Sequence, residues 1–372
     1  MSDPASDPSS DTVDVLYRHA LAAYDQNDLA AAVPLFEQVL AVSPAHVEAR
    51  YKLGNACKEQ GHWDAAMAHY REVLRLSPRH AEAMNNLGAV CQMRGSSGEA
   101  EDWYRQALRA RPALTQPHVN LGRLLQSAGR HAEARDVYDA ALAQGGDAGL
   151  FGHLRDAATT TPSDTASARA PEAYVRETFD AFAGDFDRHL QDDLGYRVPA
   201  QLVELLHRHS ADCAGAAMDV LDLGCGTGLV GDALGSTARS LVGVDLSGRM
   251  LEAARRKGRY AALHQADITA WLAAAGTGTA DCVIAADVFI YLGELEAIFR
   301  EVQRCLRPGG GFAFSVESCE GDGYRLLSSG RYAQSPAYVE RLGAHGGFGL
   351  LAREAVFIRQ GVEGLLYLFQ RR

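Results

Sequence analysis

The sequence VLDLGCGTGLVG, residues 220–231, joins an apolar run that ends in Asp222 to three glycines at alternate positions, Gly224, Gly226 and Gly228. The apolar run predicts a buried strand. The glycines allow a ligand to lie against the backbone, where N–H groups gather at a helix N-terminus. The dinucleotide fingerprint G-x-G-x-x-G would place its third glycine at position 229, which is Leu229. The spacing therefore argues against a nicotinamide dinucleotide and an oxidoreductase that uses one.

Strands and helices alternate along the chain after this loop. Apolar runs predict strands over 219–223, 240–244, 262–264, 281–286, 311–316, 350–358 and 364–370, with helices between all but the last two. Such alternation is typical of a doubly wound, mostly parallel sheet that binds ligands at the carboxyl ends of its strands. We therefore predict an α/β, Rossmann-like domain.

Acidic residues stand at the carboxyl ends of the predicted strands. Asp245 ends the second strand in SLVGVDLSGRML, Asp267 follows the third in QADI, and Asp287 follows the fourth in AADVFIYLGEL. Together with D-x-G-x-G-x-G at 222–228, they resemble the motifs of class I S-adenosylmethionine-dependent methyltransferases. The resemblance implies that the glycines admit this cofactor and that Asp245 accepts both ribose hydroxyls. It also implies that Asp267 binds the adenine amino group, with Leu246 beside the ring.

The resemblance implies a complete cofactor site and no metal. Its predicted residues are Asp222, Gly224, Gly226, Gly228, Asp245, Leu246, Met250, Asp267, Ile268, Ala286 and Tyr291. The predicted cofactor is S-adenosyl-L-methionine.

Methyl transfer is an in-line displacement at a methyl that the sulfonium activates, so the protein chiefly positions a nucleophile and excludes water. A base contributes only where the acceptor must lose a proton. The candidates for catalysis are Asp287, Glu317 at the end of the fifth strand, and His189 in the helical segment before the fold. Alternatively, Asp287 holds the cofactor's amino group and Glu317 bonds backbone amides.

A helical segment before the sheet, which we call the lid, places Phe179, Phe182 and Phe186 on one helix face. We predict that this face closes the substrate cavity. The resemblance adds further candidates for substrate contact in the lid and after the fifth strand, namely Tyr196, Arg197, Arg331, Tyr332 and Gln334.

The first third of the chain repeats itself at an offset of 34 residues. The recurring columns are Ala20, Gly54, Gly88 and Gly122; Ala32, Ala66, Ala100 and Ala134; Phe36, Tyr70, Tyr104 and Tyr138; and Pro44, Pro78 and Pro112. This period predicts helix pairs in which a small residue stands where two helices cross, an aromatic ring fills the gap and a proline ends the second helix. The pattern resembles four tetratricopeptide repeats and predicts an all-α superhelix.

The first helix of each repeat supplies the concave groove of such a superhelix. The predicted groove residues are Tyr17, Tyr51, Asn55, Lys58, Asn85, Asn86, Asn120 and Arg123. Asparagine side chains can hydrogen-bond an extended backbone, so peptide or protein capture is one interpretation. Self-association and a solvated groove are the alternatives. The family's carboxylate-clamp arrangement of paired Lys and Asn is not reproduced by these residues, which argues against binding of chaperone tails.

Composition excludes several classes of function. A net charge of −11 and a pI near 5.6 argue against nucleic-acid binding. The seven cysteines are odd in number and contain no C-x-x-C pair, so we expect neither a disulfide framework nor a zinc site. No apolar run is long enough to cross a membrane. We expect a protein of the reducing cytoplasm.

These signals divide the chain into a disordered tail over 1–12, repeats over 13–146, a linker over 147–171 and an α/β domain with its lid over 172–372. This arrangement, with RYAQSPAYV at 331–339, resembles bacterial methyltransferases with N-terminal tetratricopeptide repeats, in which the position of Gln334 is often histidine. The lid and the insertion after the fifth strand favour a small-molecule acceptor that is methylated at N or O. A protein substrate captured by the groove, and a scaffold with a catalytically weak methyltransferase domain, are the alternatives.

Overall fold

In the computed structural model the chain divides into two compact units, Met1–Phe151 and Gly152–Arg372. The structure describes residues 8–26, 28–159, 168–182, 196–209, 217–359 and 361–372, with all side chains except those of 8–11, 177 and 180–182. Of the predicted site residues, Phe186 and His189 lie outside the described ranges, as does the side chain of Phe182.

The described part of the first unit consists of helices joined by short turns. Its helices are α1 (Pro8–Asp25), α2 (Leu29–Val42), α3 (Val47–Glu59), α4 (Trp63–Leu76), α5 (Ala81–Met93), α6 (Ser97–Ala110), α7 (Thr115–Ser127) and α8 (His131–Ala143). Consecutive helices pack together as the pairs α1 and α2, α3 and α4, α5 and α6, and α7 and α8. This is the helix-pair repeat that the period of 34 residues predicted.

The repeat columns meet where the two helices of a pair cross. A Cβ atom added to Gly122 would stand 2.3 Å from the Tyr138 ring, which is fully buried. The same contact recurs between Gly88 and Tyr104 and between Gly54 and Tyr70. Only glycine lets the backbone approach the ring this closely, which explains why the two columns share one period.

Helix α1 begins earlier than the sequence predicted. It starts at Pro8, so residues 8–12 of the expected tail are helical. Proline is favourable at the first helical position because its missing N–H would have no partner there and its φ angle is already helical. The Pro/Ser-rich composition led us to expect disorder instead.

A further helix, α9 (Ala148–Ala157), lies where the sequence indicated an irregular linker. Asp147 caps its N-terminus, with Oδ1 accepting a hydrogen bond from the Leu150 N–H at 2.6 Å. The boundary between the two units falls inside this helix, after Phe151. The Gly-Gly-Asp that ends the repeat pattern also starts this helix, and 10 residues are too few to show a clear amphipathic period.

The second half of α9 packs within the second unit. His153 is buried, and its Nε2 lies 2.8 Å from the carbonyl oxygen of Gly330. The imidazole also lies against Tyr174, with the ring centroids 4.7 Å apart. The second unit therefore begins about twenty residues before the predicted boundary at 172.

We expect a fragment that begins at Ala148 to be more stable than one that begins at Ala170. The shorter fragment lacks His153 and leaves the Gly330 carbonyl without that partner, which costs about 1 to 3 kcal/mol. Urea denaturation of the two fragments measures the difference. Equal unfolding midpoints and slopes would contradict the assignment of α9 to the second unit.

The second unit is built on a nine-stranded sheet. Its strands are β1 (Met218–Leu223), β2 (Ala238–Asp245), β3 (Ala262–Gln265), β4 (Ala280–Ala285), β5 (Leu306–Ser318), β6 (Tyr324–Leu326), β7 (Tyr332–Gln334), β8 (Phe348–Arg359) and β9 (Val362–Arg371). Strands β3, β2, β1, β4 and β5 lie side by side and parallel, β9 adds to β5 antiparallel, and β8 adds to β9.

This topology confirms the predicted doubly wound sheet, and each of the seven predicted strands is present. The short hairpin of β6 and β7, which continues from the end of β5, was missed. Each of its strands has three residues, too few for alternation to show in a sequence.

Helices cover both faces of the sheet. They are α11 (Val198–His209), α12 (Leu229–Leu234), α13 (Gly248–Lys257), α14 (Ile268–Ala274), α15 (Glu296–Cys305) and α16 (Pro336–His345), while α10 (Glu172–Phe182) contacts α13. Leu221 and Leu223 of β1 join the core with α14, α15 and α16, whereas Met218 and Val220 join the core with α11 and α12. Alternate residues of one strand thus enter different cores, as a sheet buried on both faces requires.

Candidate functional site

The glycine loop has a backbone that other residues adopt with difficulty. Gly224, Gly226 and Gly228 have φ angles of 67°, 52° and 90°, all in the left-handed region. A Cβ atom on Gly224 would stand 2.3 Å from a methyl of Val288, whereas one on Gly226 would meet nothing within 4 Å. The first glycine is therefore required by packing, and the second faces open space that a ligand can occupy.

Asp245, at the end of β2, holds this loop in place. Its Oδ2 accepts a hydrogen bond from the Gly226 N–H at 2.9 Å, and its Oδ1 accepts one from the Ser247 N–H at 2.8 Å. The N–H groups of Gly224 and Cys225 also donate to the carbonyl of Val244. Both oxygens of the Asp245 carboxylate are thus fixed by the loop, and the side chain lines the cavity described below.

Asp222 lies behind the glycine loop. Its carboxylate is fully buried, and Oδ2 accepts a hydrogen bond from the Tyr260 hydroxyl at 2.6 Å. Burial raises the pKa of Asp222 to about 7. The Tyr260 ring packs 3.0 Å from the position that a Cβ on Gly228 would take. Asp222 thus supports the loop from below, although the sequence placed it among the cofactor contacts.

A cavity of about 340 Å³ opens above the loop. Its floor is the glycine loop with residues that follow β2, β3 and β4, and its roof is formed by residues of 169–179 with Tyr196 and Pro199. The predicted cofactor residues among its walls are Gly224, Gly226, Asp245, Leu246, Asp267, Ile268, Ala286 and Tyr291. Met250 is buried in the first turn of α13 and, like Asp222, does not line the cavity.

Asp267, at one end of the cavity, is the N-cap of α14. Its Oδ1 accepts a hydrogen bond from the Ala270 N–H at 2.9 Å, and its Oδ2 accepts one from Arg169 Nη2 at 2.5 Å. The cap was readable from the sequence, since aspartate is favoured before a helix. The sequence did not indicate that Arg169 would be its partner.

Asp287 lines the cavity and is the one non-glycine residue of the described chain with a positive φ, 60°. The Asp287 N–H donates to the buried Ser315 hydroxyl at 2.8 Å, which fixes this conformation. Its Oδ1 is buried and receives no hydrogen bond from any described residue. Strained residues with unsatisfied polar atoms concentrate at functional sites.

Arg359 joins the two predicted catalytic carboxylates. Its Nη1 donates to Asp287 Oδ2 at 3.0 Å, and its Nη2 donates to Glu317 Oε1. Arg331 Nε forms an ion pair with the same Glu317 oxygen at 2.8 Å. Burial raises the pKa of Asp287, although the charge of Arg359 opposes this shift. Arg359 comes from β8, far along the chain, and no sequence motif marked it.

The predicted substrate residues divide into two groups. Phe179, Tyr196 and Arg331 line the cavity, and the Phe179 ring packs against Tyr291 with the centroids 5.5 Å apart. Arg197 is exposed outside it. Tyr332 is fully buried beside His153.

Gln334 is also buried away from the cavity. Its Nε2 donates hydrogen bonds to the carbonyl oxygens of Phe289 at 3.1 Å and Leu292 at 2.6 Å. These bonds hold the loop after β4, which carries Asp287 and Tyr291. Gln334 therefore supports the wall of the cavity and does not line the cavity itself. The sequence did not indicate this position because strand β7, which carries Gln334, was not predicted.

The groove asparagines of the first unit bond to one another. Asn120 donates to Asn85 at 3.0 Å, Asn85 to Asn86 at 3.2 Å, and Asn86 to Asn55 at 2.8 Å. Asn55 also accepts from the Tyr70 hydroxyl. This chain of amides links α3, α5 and α7, so part of the hydrogen-bonding capacity expected for a peptide is used within the unit.

The described residues contain no group of three or more His, Cys, Asp or Glu side chains placed to hold a metal ion. Among the helices with described placement, none combines the length and apolar character needed to cross a membrane.

Family models match both units. A model of the methyltransferase domain matches residues 221–314, from β1 into β5. Models of the tetratricopeptide repeat match residues 17–78, 58–114 and 115–140. The first match contains the glycine loop, Asp245, Asp267 and Asp287, and the second group covers the repeat columns.

A curated relative resembles part of the chain. The ubiquinone biosynthesis O-methyltransferase of Xanthomonas oryzae pv. oryzae is 31% identical over 102 residues, which are 27% of this chain and 42% of that protein. The match thus spans less than half the length of this curated relative.

Among solved structures, the Burkholderia thailandensis 1,6-didemethyltoxoflavin-N1-methyltransferase, with bound S-adenosylhomocysteine, is 20% identical over 57% of this chain and 94% of that chain, with a TM-score of 0.45. The magnesium protoporphyrin IX methyltransferase of Synechocystis PCC 6803 is 19% identical, and the match covers 54% of this chain and 99% of that chain with a TM-score of 0.43. MamA is 21% identical, and the match covers 36% of this chain and 78% of that chain with a TM-score of 0.34. These values are too low to support an inference about substrate or ligand.

The matched models and the strand order agree on the architecture that the sequence motifs implied. Residues 17–140 are tetratricopeptide repeats, and the sheet of the second unit has the class I methyltransferase fold. The chain therefore carries, behind its repeats, a domain of the methyltransferase family.

Proposed function

We propose that the protein transfers a methyl group from S-adenosyl-L-methionine to an oxygen or nitrogen of a small-molecule acceptor. The observation that carries this proposal is the pairing, in one cavity, of a glycine loop open to a ligand with a buried carboxylate oxygen on Asp287 that has no described partner. The matched methyltransferase domain supports it.

The residues present fit the cofactor. The cavity volume of about 340 Å³ lies in the range of small-molecule sites. Gly226 leaves room for the ligand at the loop, Asp245 presents a carboxylate on the cavity wall that hydroxyls can reach, and Leu246 and Ile268 offer apolar surface to a nucleobase. When bound, the cofactor would supply a methyl already activated for displacement, and the protein would position the acceptor.

We assign Asp287 the role of the base. A carboxylate can accept a proton from an acceptor O–H or N–H in the transition state. Burial raises the pKa of Asp287 and makes it a stronger base than an exposed aspartate, while the ion pair with Arg359 keeps it charged. Glu317 holds Arg359 and Arg331 from the opposite side.

A small acceptor is supported by the cavity walls. Phe179, Tyr196 and Tyr291 surround the space next to Asp287, which suits an apolar or aromatic molecule better than an extended chain. The curated relative is named a ubiquinone biosynthesis O-methyltransferase, which favours oxygen as the acceptor atom.

For the repeats we propose self-association or recruitment of a partner protein, without capture of the methyl acceptor. The amide chain from Asn120 to Asn55 reduces the groove's capacity to bind a peptide backbone. The described cysteines all carry free thiols, which supports a reducing compartment such as the cytoplasm.

We expect label from methyl-labelled S-adenosylmethionine to enter a small molecule distinct from S-adenosylmethionine in a cell extract incubated with the full-length protein, and not in the same extract without it. The label should be lost in Asp287→Asn, which keeps the shape of the side chain and removes the base. Chromatography after separation by size measures it.

The triple variant Asn55→Ala, Asn85→Ala and Arg123→Ala serves as the matched control and should keep this activity. If label enters only macromolecules and disappears in the triple variant, the acceptor is a protein bound by the groove. Activity that persists in Asp287→Asn would remove the base from the mechanism and leave positioning alone.

A further inference from the structure

A short segment before the lid helix is fastened to the loop after β4. We call residues 168–170 the strap. The Ala168 carbonyl accepts hydrogen bonds from the N–H groups of Gly293 at 2.8 Å and Glu294 at 3.0 Å. Arg169 forms an antiparallel bridge with Leu292, and the Ala170 N–H donates to the Tyr291 carbonyl at 2.8 Å. These contacts use backbone atoms, so they do not depend on which side chain stands at position 169.

The strap places the Arg169 side chain on the wall of the cavity. Its Nη2 lies 2.5 Å from Asp267 Oδ2 and 3.9 Å from a carboxylate oxygen of Glu172. The Asp267 side chain is 14% exposed. Because Asp267 Oδ1 already caps α14, the arginine fixes the second oxygen, and the carboxylate has one orientation.

This end of the cavity has the chemistry of a nucleobase site. Leu246 and Ile268 line it with apolar surface, and Asp267 is the acid at its edge. A planar guanidinium can lie against an aromatic face while it donates to a carboxylate. A lysine ammonium offers neither the plane nor the paired donors.

We propose that Arg169 is a positioning residue for the cofactor's nucleobase. It holds the Asp267 carboxylate in the orientation that accepts a hydrogen bond from the exocyclic amino group, and its guanidinium covers the ring. This inference rests on the proposed function, because it assumes that the ligand of the cavity carries adenine.

The alternative is that Arg169 forms a surface ion pair that contributes little. Exposed pairs typically contribute less than about 1 kcal/mol to stability, and the Arg169 side chain is 39% exposed. The two interpretations differ in a property of binding. A positioning residue affects the discrimination between an amino group and its replacement at the nucleobase, whereas a surface ion pair does not.

The test uses the full-length protein and two probes. S-adenosylhomocysteine carries the adenine amino group, and S-inosylhomocysteine has a carbonyl oxygen in its place. Calorimetry gives the affinity of each probe for the wild type, Arg169→Ala, Arg169→Lys and the control Arg300→Ala. Arg300 is an exposed arginine of α15 that pairs with Glu301, away from the cavity walls.

We expect the wild type and Arg300→Ala to prefer S-adenosylhomocysteine by about tenfold, the cost of leaving Asp267 without its donor. In Arg169→Ala the affinity for S-adenosylhomocysteine should fall about tenfold, while S-inosylhomocysteine loses less. The preference should therefore shrink to about twofold. Arg169→Lys should restore only part of it.

An unchanged preference in Arg169→Ala would overturn the inference, and so would tighter binding, which would mean that the guanidinium obstructs the site. If the wild type binds neither probe, the proposed cofactor is wrong. If the wild type binds both probes with a preference that does not depend on Arg169, the cofactor stands and only the role of Arg169 is rejected. Thermal melting accompanies each variant. Should Arg169→Ala not fold, Arg169→Lys decides, and a wild-type preference there would contradict the need for a guanidinium.

Discussion

Asp245→Ala is expected to lower the affinity for S-adenosylhomocysteine by about 10- to 100-fold, the equivalent of roughly 1 to 3 kcal/mol for lost charge-assisted hydrogen bonds. Two effects combine. The variant leaves the ligand's hydroxyls without an acceptor, and it removes the bonds that Asp245 accepts from the N–H groups of Gly226 and Ser247. The loop that must lie against the ligand then loses its support. Titration calorimetry on the full-length protein measures the affinity.

Asp245→Asn should also weaken binding, because an amide has one acceptor oxygen and the two backbone N–H groups require two. The matched control is Asp232→Ala, which removes a more exposed carboxylate of α12 that pairs with Lys257 and Arg259. Its affinity should stay within about twofold of the wild type, since exposed ion pairs contribute little. Equal affinities of Asp245→Ala and Asp232→Ala, both folded, would remove Asp245 from the cofactor site.

Arg359→Met should lower the free energy of unfolding by about 3 to 5 kcal/mol, the usual cost of breaking a buried ion pair from one side. The guanidinium is the hydrogen-bonded partner of Asp287 and also binds Glu317. Methionine matches its length but leaves both carboxylates buried without this compensating charge. Urea denaturation, with the midpoint and slope both fitted, gives the loss.

The free energy of unfolding that Arg359→Met loses should increase with pH. Burial raises the pKa of Asp287 above its unfolded value, and removal of the arginine raises it further. Between the pKa of Asp287 in the unfolded state and its higher pKa in the folded state, the folded state binds more protons. The free energy of unfolding therefore decreases as the pH rises through this window. The deficit relative to the wild type should therefore be larger at pH 8 than at pH 5.

Arg353→Met is the matched control on the same strand. Arg353 pairs with Glu340, and both side chains are at least 40% exposed, so its loss should cost less than about 1 kcal/mol. Adding Asp287→Asn and Glu317→Gln to Arg359→Met should recover part of the stability, because the buried charges then disappear. A deficit that is small, or equal at both pH values, would contradict the electrostatic explanation.

The motifs that sequence reasoning found are local in the chain. The glycine loop follows its strand directly, and Asp245, Asp267 and Asp287 stand at strand ends because parallel strands present their carboxyl ends at one edge. The repeat columns were visible for a similar reason. Each helix pair repeats one packing contact, so the glycine and the aromatic ring that meet at a crossing recur at one period.

The partners of these residues were not visible. Arg359 is 72 residues from Asp287, and Arg169 is 98 residues from Asp267. An arginine in a strand or a turn carries no pattern that says which acid it will meet. Helix α9 and the hairpin of β6 and β7 were not predicted for a different reason. Elements this short contain too few residues for a periodic pattern of apolar residues to be recognised.

The sequence by itself determined that there are two units, where seven of the strands lie along the chain, and which acids follow strands β2, β3 and β4, because strand period, turn glycines and repeat spacing are properties of neighbouring residues. Only the tertiary structure decided how those acids are held. Asp222 is turned towards Tyr260, Asp267 is held by Arg169, and Asp287 is paired with Arg359 while one of its oxygens has no described partner. Charge and burial act through space, and the distances along the chain do not record them.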